Sequence, residues 1–145
     1  MSLSDNKKRL TWYDGTKSFL KSYVAATSAE IYVGALVAID TNGRAVEAVN
    51  TKQFVGVATN YVKQDATIDN DNYVVVETNQ IEKLDAPATA SVGYIGKAVG
   101  ATADDTIATL AATYTTDTYA VNRVGVVVDY EGTDYLWVKI APFSS

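Results

Sequence analysis

The sequence predicts an all-β fold, a small single-domain antiparallel β-barrel or sandwich that follows an extended N-terminal arm. Beyond residue 30, apolar residues recur with a period of two, which is typical of strands whose two faces differ. Turn-forming residues separate these runs at short intervals, as in sandwiches and barrels. A chain of 145 residues with 48% hydrophobic residues is long enough for one core but short for two domains. We therefore divide it into an arm, residues 1–25, and a β body, residues 26–145.

The first predicted strand of the body spans residues 30–39. There Ile31 and Val37 point to one face, while Leu36 points to the other. The Asn-Gly pair at residues 42–43 then closes a hairpin, because both residue types tolerate positive φ. The return strand and the later strands are expected at residues 44–49, 54–58, 73–77, 91–99, 106–110, 121–129 and 135–140.

A short theme, glycine with valine before it, recurs inside three of these runs at Gly56, Gly93 and Gly125. Glycine weakens the packing of a strand, so within a strand it usually marks a bulge or a sharp bend. We predict that all three glycines are points of strand curvature.

Composition excludes several classes of enzyme. The chain has no His and no Cys, so it contains no Ser-His-Asp or Cys-His nucleophile system, no thiol redox pair and no His/Cys zinc site. The closest carboxylate pairs, 69/71 and 104/105, lie in polar stretches without aromatic neighbours, which favours solvated loops over a glycosidase pair. Residues 69–80 lack the Gly and Glu of an EF-hand, which leaves at most a weak calcium site of another kind. We expect a non-enzymatic protein without a cofactor or metal.

Charge is distributed unevenly along the chain. Residues 1–21 carry five basic and two acidic residues, and the rest of the chain carries seven basic and fifteen acidic residues. The arm is therefore +3 and the remainder −8. An acidic body argues against nucleic acid as the main partner, since phosphate binding needs a basic surface. The apolar runs are too short to span a bilayer, so we expect no membrane contact either.

The arm combines basic and aromatic residues, and Trp and Arg are enriched at the energetic centres of protein interfaces. Spacing in residues 19–24 predicts one short amphipathic helical turn that orders against a surface. That surface is the body of the same chain, a neighbouring copy or a larger partner, whose acidic groups the basic residues would meet. The candidate binding residues in the arm are Arg9, Trp12, Tyr13, Lys17, Phe19, Lys21 and Tyr23.

A second candidate contact lies in residues 101–120, where Ala and Thr predominate. Such a stretch favours a long surface loop flanking one strand. The alternative is a subunit contact through Tyr114 and Tyr119, because Tyr supplies a large rigid area with a polar tip.

The body resembles the small capsid cement, or head decoration, proteins of tailed phages. The resemblance rests on TSAEIYVGALVAIDTNGRAVEA at residues 27–48, FVGVA at 54–58, RVGVVV at 123–128 and LWVKI at 136–140. It implies a virion protein on the capsid exterior, made in the host cytoplasm, that binds the major capsid protein and associates with itself as a homotrimer. It implies no catalysis.

Two other classes stay open. The first is another oligomeric phage structural module, such as a tail-tube or fibre-base protein. The second is a carbohydrate-binding β domain that uses Trp12, Tyr130 or Trp137 as a stacking platform.

Overall fold

The computed structural model describes residues 3–7, 9–15, 17–110 and 121–142. Within these ranges the chain forms strands and one 3-10 turn, Val92–Tyr94, with no α-helix, so the all-β prediction is confirmed. No helix in the described ranges is long and apolar enough to cross a membrane. The strands are β1 (Thr11–Trp12), β2 (Phe19–Val24), β3 (Glu30–Ile31), β4 (Leu36–Ile39), β5 (Ala45–Glu47), β6 (Gln53–Ala58), β7 (Val62–Lys63), β8 (Tyr73–Thr78), β9 (Ile81–Asp85), β10 (Ala98–Ala103), β11 (Thr106–Thr109), β12 (Arg123–Glu131) and β13 (Tyr135–Ile140).

The strands form two main antiparallel sheets. The first has the order β1-β9-β13-β12-β10-β11, and the second has the order β2-β8-β6-β4-β5. Strands β3 and β7 pair with each other. A parallel bridge between Ala25 and Ala45 joins the residue after β2 to β5, so the second sheet curls until its two outer strands meet at one point. The arm contributes one outer strand to each main sheet, β1 to the first and β2 to the second.

The main core lies between the two sheets. Leu36 and Phe54 come from the second sheet and are fully buried against Leu84, Leu136 and Ile140 of the first. Burying a side chain of this size contributes about 2 kcal/mol. This core fixes how the two sheets, and therefore the two strands of the arm, sit relative to each other.

A second core lies on the opposite face of the second sheet, beneath the β3-β7 pair. It contains Ile31, Val37, Val55 and Val74 among its buried residues. The two faces predicted for residues 30–39 are confirmed, since Leu36 enters the first core while Ile31 and Val37 enter the second. The run is nevertheless two strands rather than one, because the chain turns at Gly34, whose φ is +85°.

Turn and glycine predictions were partly right. The hairpin at residues 42–43 is confirmed by β4-β5 pairing and by Gly43 at φ +74°. Gly56 and Gly125 lie at register shifts of the ladders, as expected for points of curvature. Gly93 does not, because residues 91–97 form local turns in which Tyr94 N–H donates to the carbonyl of Ser91. The strand expected at residues 91–99 is therefore Ala98–Ala103.

The helical turn expected in residues 19–24 was wrong. This segment is strand β2, and all six of its residues pair in register with β8. A single helical turn satisfies few backbone groups, whereas the edge of a sheet offers a full ladder, so tertiary pairing outweighs the local spacing. The strand expected at residues 106–110 is confirmed as β11, Thr106–Thr109, whereas residues 101–103, expected in the flanking loop, belong to β10.

Candidate interaction surface

Two cations near the start of the arm, Lys7 and Arg9, form ion pairs with the body. Lys7 Nζ lies 2.7 Å from Asp85 Oδ2 and 3.2 Å from Asp105 Oδ1. Arg9 Nη2 lies 3.0 Å from the same Asp105 oxygen, and Arg9 Nε donates to the carbonyl of Gly34 at 2.6 Å. The Arg9 side chain is only 3% exposed. These cations therefore stabilise the chain's own fold.

Backbone contacts fix the same segment. Lys7 N–H donates to the carbonyl of Val33 at 2.8 Å, and Val33 N–H donates to Asn6 Oδ1 at 2.9 Å. Leu3 N–H donates to Asp104 Oδ1 at 2.9 Å. A Cβ on Gly34 would overlap the Lys7 carbonyl, so the arm can lie here only because residue 34 is glycine.

The next segment forms the outer strand of the first sheet. In β1, Thr11 pairs with Glu82 of β9, and Thr11 Oγ1 donates to Glu82 Oε1 at 3.1 Å. Trp12 packs edge-on against Trp137, with 6.4 Å between ring centroids and 87° between planes. Trp12 is still 53% exposed, whereas Trp137 is half-buried. Trp137 is therefore not a free stacking platform.

Glu82, beneath β1, is an almost fully buried carboxyl. It is 3% exposed, and its Oε1 also accepts from Gln80 Nε2 at 3.1 Å. Among the described residues, its Oε2 has no hydrogen-bond partner. Burial raises the pKa of Glu82, because removing a carboxylate from water disfavours the charged form.

Strand β2 brings a second exposed segment close to the first. Leu20 lies opposite Glu77 in the β2-β8 ladder, and the hydroxyl of Tyr13 donates to Glu77 Oε2 at 3.1 Å. Partial burial and the Glu77 carboxylate raise the pKa of Tyr13, so its hydroxyl stays protonated. We use the name arm surface for the apolar side chains of this region that are each more than half exposed: Leu10, Trp12, Tyr13, Phe19 and Leu20.

The arm surface is bordered by positive charge. Lys17 is exposed, and its carbonyl accepts from Asn79 Nδ2 at 2.7 Å. Lys21 is also exposed, with Nζ 5.2 Å from the ring centroid of Tyr23. Tyr23 itself is half-buried and packs against the second core. Lys17 and Lys21 therefore place positive charge at the edge of the arm surface, and Tyr23 supports Lys21 from below.

The structure brings together part of the predicted site. Trp12, Tyr13 and Phe19 are exposed as expected, whereas Arg9 is engaged inside the chain. Leu10 and Leu20 were missed, although each adjoins a predicted position in the sequence, Leu10 next to Arg9 and Leu20 next to Phe19. Tyr114 and Tyr119 lie outside the described residues.

The described residues contain no group of three or more acidic residues placed to hold a metal ion. No protein-family model matches this sequence, and no curated protein matches it.

Proposed function

We propose that this chain is a structural virion protein that binds the outer surface of a phage head and stabilises it by bridging major capsid protein subunits. The observation that carries the proposal is the arm surface, where five large apolar side chains in or next to the outer strands β1 and β2 are more than half exposed. All five lie within residues 10–20, and a concentration of exposed apolar side chains in one segment is typical of protein interaction sites. The resemblance of the body to head decoration proteins supplies the identity of the partner.

The composition of the arm surface fits a protein partner. Trp and Tyr are enriched at the centre of interfaces, where they fill pockets and exclude water, and Lys17 and Lys21 supply a polar rim. Lys7 and Arg9 attach this part of the chain to the body, so binding does not first have to order a free arm. A standard interface of about 800 Å² per partner is within reach of this surface.

Bridging explains why such a protein stabilises a shell. Each bound copy buries area on more than one capsid subunit, which opposes separation at the joint. Trimers of this chain at symmetric positions would multiply these contacts without requiring a stronger individual site.

The first experiment measures how many copies of this chain are present in purified particles, by quantitative mass spectrometry relative to the major shell protein. We expect a near-stoichiometric ratio. Absence from particles would overturn the proposal, and a handful of copies confined to tails would point to a tail-tube or fibre-base protein instead.

The second experiment adds purified protein to heads that lack it. Point substitutions are preferable to deletion of the arm, because β2 contributes six ladder pairs to the second sheet. We expect Phe19→Ser with Leu20→Ser to lower head binding by at least about tenfold, as for loss of two interface anchors. Val92→Ser is the matched control, since Val92 is 69% exposed in the 3-10 turn. Equal binding by the double variant and the control would contradict the proposal.

A further inference from the structure

A second candidate site is an open groove between β7 and the start of β8. It has a volume of about 600 Å³, which lies within the range of sites for small ligands. Six of its lining residues carry the argument: Thr59, Asn60, Tyr61, Lys63, Asp71 and Tyr73.

Side-chain hydrogen bonds fix the shape of the groove. Asn60 Oδ1 accepts from Val75 N–H at 2.7 Å, and Asn60 Nδ2 donates to the carbonyl of Tyr73 at 3.0 Å. Thr59 Oγ1 donates to the carbonyl of Val75 at 2.8 Å. These bonds clamp the chain after β6 onto β8, so a ligand would meet a preformed site and would not have to order it.

Two tyrosines present aromatic surface in the groove. Tyr61 is 43% exposed and Tyr73 is 48% exposed. The Tyr61 hydroxyl donates to the Glu30 carboxylate, and its ring lies 5.4 Å from the ring of Tyr32. The bond to Glu30 raises the pKa of Tyr61 to about 12. The orientation of Tyr61 is therefore fixed, which is the condition under which an aromatic side chain binds at low entropic cost.

The charges in the groove restrict the class of ligand. Lys63 and Asp71 contribute one charge of each sign, so the lining as a whole does not select a phosphate, a polyanion or a cation. A carboxylate accepts hydrogen bonds from ligand hydroxyls, an ammonium donates to them, and a hydroxyl does both. The tyrosine rings match the apolar C–H faces of a pyranose ring. We propose that this groove binds a neutral saccharide of two or three sugar units.

The groove and the arm surface lie at opposite ends of β8. Tyr73 pairs with Val24 at one end, and Thr78 pairs with Phe19 at the other. The two pairs are five residue steps apart along β8, a distance of about 17 Å. The saccharide site is therefore independent of head binding, and the two proposals can fail separately.

The test is a titration of isotopically labelled full-length protein with maltotriose, cellotriose, mannotriose and N,N′,N″-triacetylchitotriose, followed by amide NMR. We expect at least one trisaccharide to shift resonances of residues 59–63 and 71–75 in a saturable manner. Tyr73→Ala should weaken that binding by about tenfold, because it removes a stacking face. Tyr135→Ala is the control, since Tyr135 is 38% exposed on β13 of the other sheet.

Three outcomes would overturn this assignment. The first is the absence of saturable shifts in the groove with all four trisaccharides. The second is a set of shifts centred on the Trp12 and Trp137 indoles, which would move saccharide binding to the first sheet. The third is tighter binding of a sulfated trisaccharide than of its neutral counterpart, because a neutral groove should not prefer it.

Discussion

The two halves of the arm have opposite chemistry. Residues 3–7 and Arg9 lie against the body through ion pairs and backbone hydrogen bonds, and the Arg9 side chain is nearly inaccessible. Residues 10–20 add one strand and begin another, yet they leave large apolar side chains in solvent. Two of the four cations in the described part of the arm, Lys7 and Arg9, therefore serve intramolecular attachment. What the arm offers to a partner is chiefly its apolar and aromatic surface.

The largest expected effect breaks the attachment of residues 3–9. Gly34→Ala places a Cβ on the Lys7 carbonyl at a positive φ, so we expect a loss of about 4 kcal/mol in the free energy of unfolding. Amide hydrogen exchange should accelerate in residues 3–9 more than in β6.

Gly43→Ala is the matched control for that substitution. Gly43 also has a positive φ, +74°, but a Cβ there would meet no atom within 4 Å. Gly43→Ala should lower the free energy of unfolding by about 1 kcal/mol, which is the cost of a positive φ for a residue with a Cβ. Equal losses for the two variants would contradict a steric requirement for glycine under the arm.

A slightly smaller effect is expected from removing the buried cation. Arg9→Met eliminates the ion pair with Asp105 and the hydrogen bond to Gly34, so we expect a loss of about 3 kcal/mol in chemical denaturation. Lys17→Met is the control and should change stability by less than about 0.5 kcal/mol, because Lys17 is exposed. If both variants unfold alike, charge does not attach the arm.

The next prediction concerns Glu82, which pairs with Thr11 of β1 and accepts a hydrogen bond from its hydroxyl. Because its pKa is raised in the folded protein, folding is favoured by protonation; this stabilisation is present below about pH 4 and is lost as pH rises through the folded pKa. Glu82→Gln keeps an oxygen that accepts from Thr11 and Gln80. The free energy of unfolding of the variant should therefore exceed that of wild type by about 1 kcal/mol at pH 7 and by little at pH 4. If the free energies of unfolding of the two proteins differ by the same amount at pH 4 and pH 7, titration of Glu82 does not contribute to the pH dependence of stability.

The smallest expected effect is the salt dependence of head binding. Since Lys7 and Arg9 pair within the chain, the cations that remain in the described part of the arm to meet acidic groups of a partner are the exposed Lys17 and Lys21. Affinity should fall by less than about threefold between low and physiological ionic strength. A steep decrease would mean that the internal ion pairs open on binding.

Local patterns predicted the centre of the fold well. Strands β4, β5 and β6 were expected because period-two alternation and an Asn-Gly turn agree there. Strand β9 was missed, since burial of Glu82 beside Ile81 breaks the alternation that marks a strand. Strands β1 and β2 were missed because their ladders form with distant segments, and short sequence windows contain no information on such pairing.

The candidate surface shows the same limit. Residue types alone marked the arm as a binding segment, but they did not separate Arg9 from Trp12. Arg9 finds its partner 96 residues away, at Asp105. Only the folded topology determines which members of a basic, aromatic segment point inward.

The long separation between the arm and its anchors has a consequence for synthesis of the chain. Lys7 pairs with Asp85 and Asp105, which follow it by 78 and 98 residues. At about 5–20 residues per second, the ribosome needs about 5–20 s to add those 98 residues. Strands β1 and β2 can pair once β8 and β9 have been made, but Lys7 and Arg9 lack their shared partner until Asp105 is added. We expect this cationic segment of nascent chains to stay undocked until residue 105 has emerged.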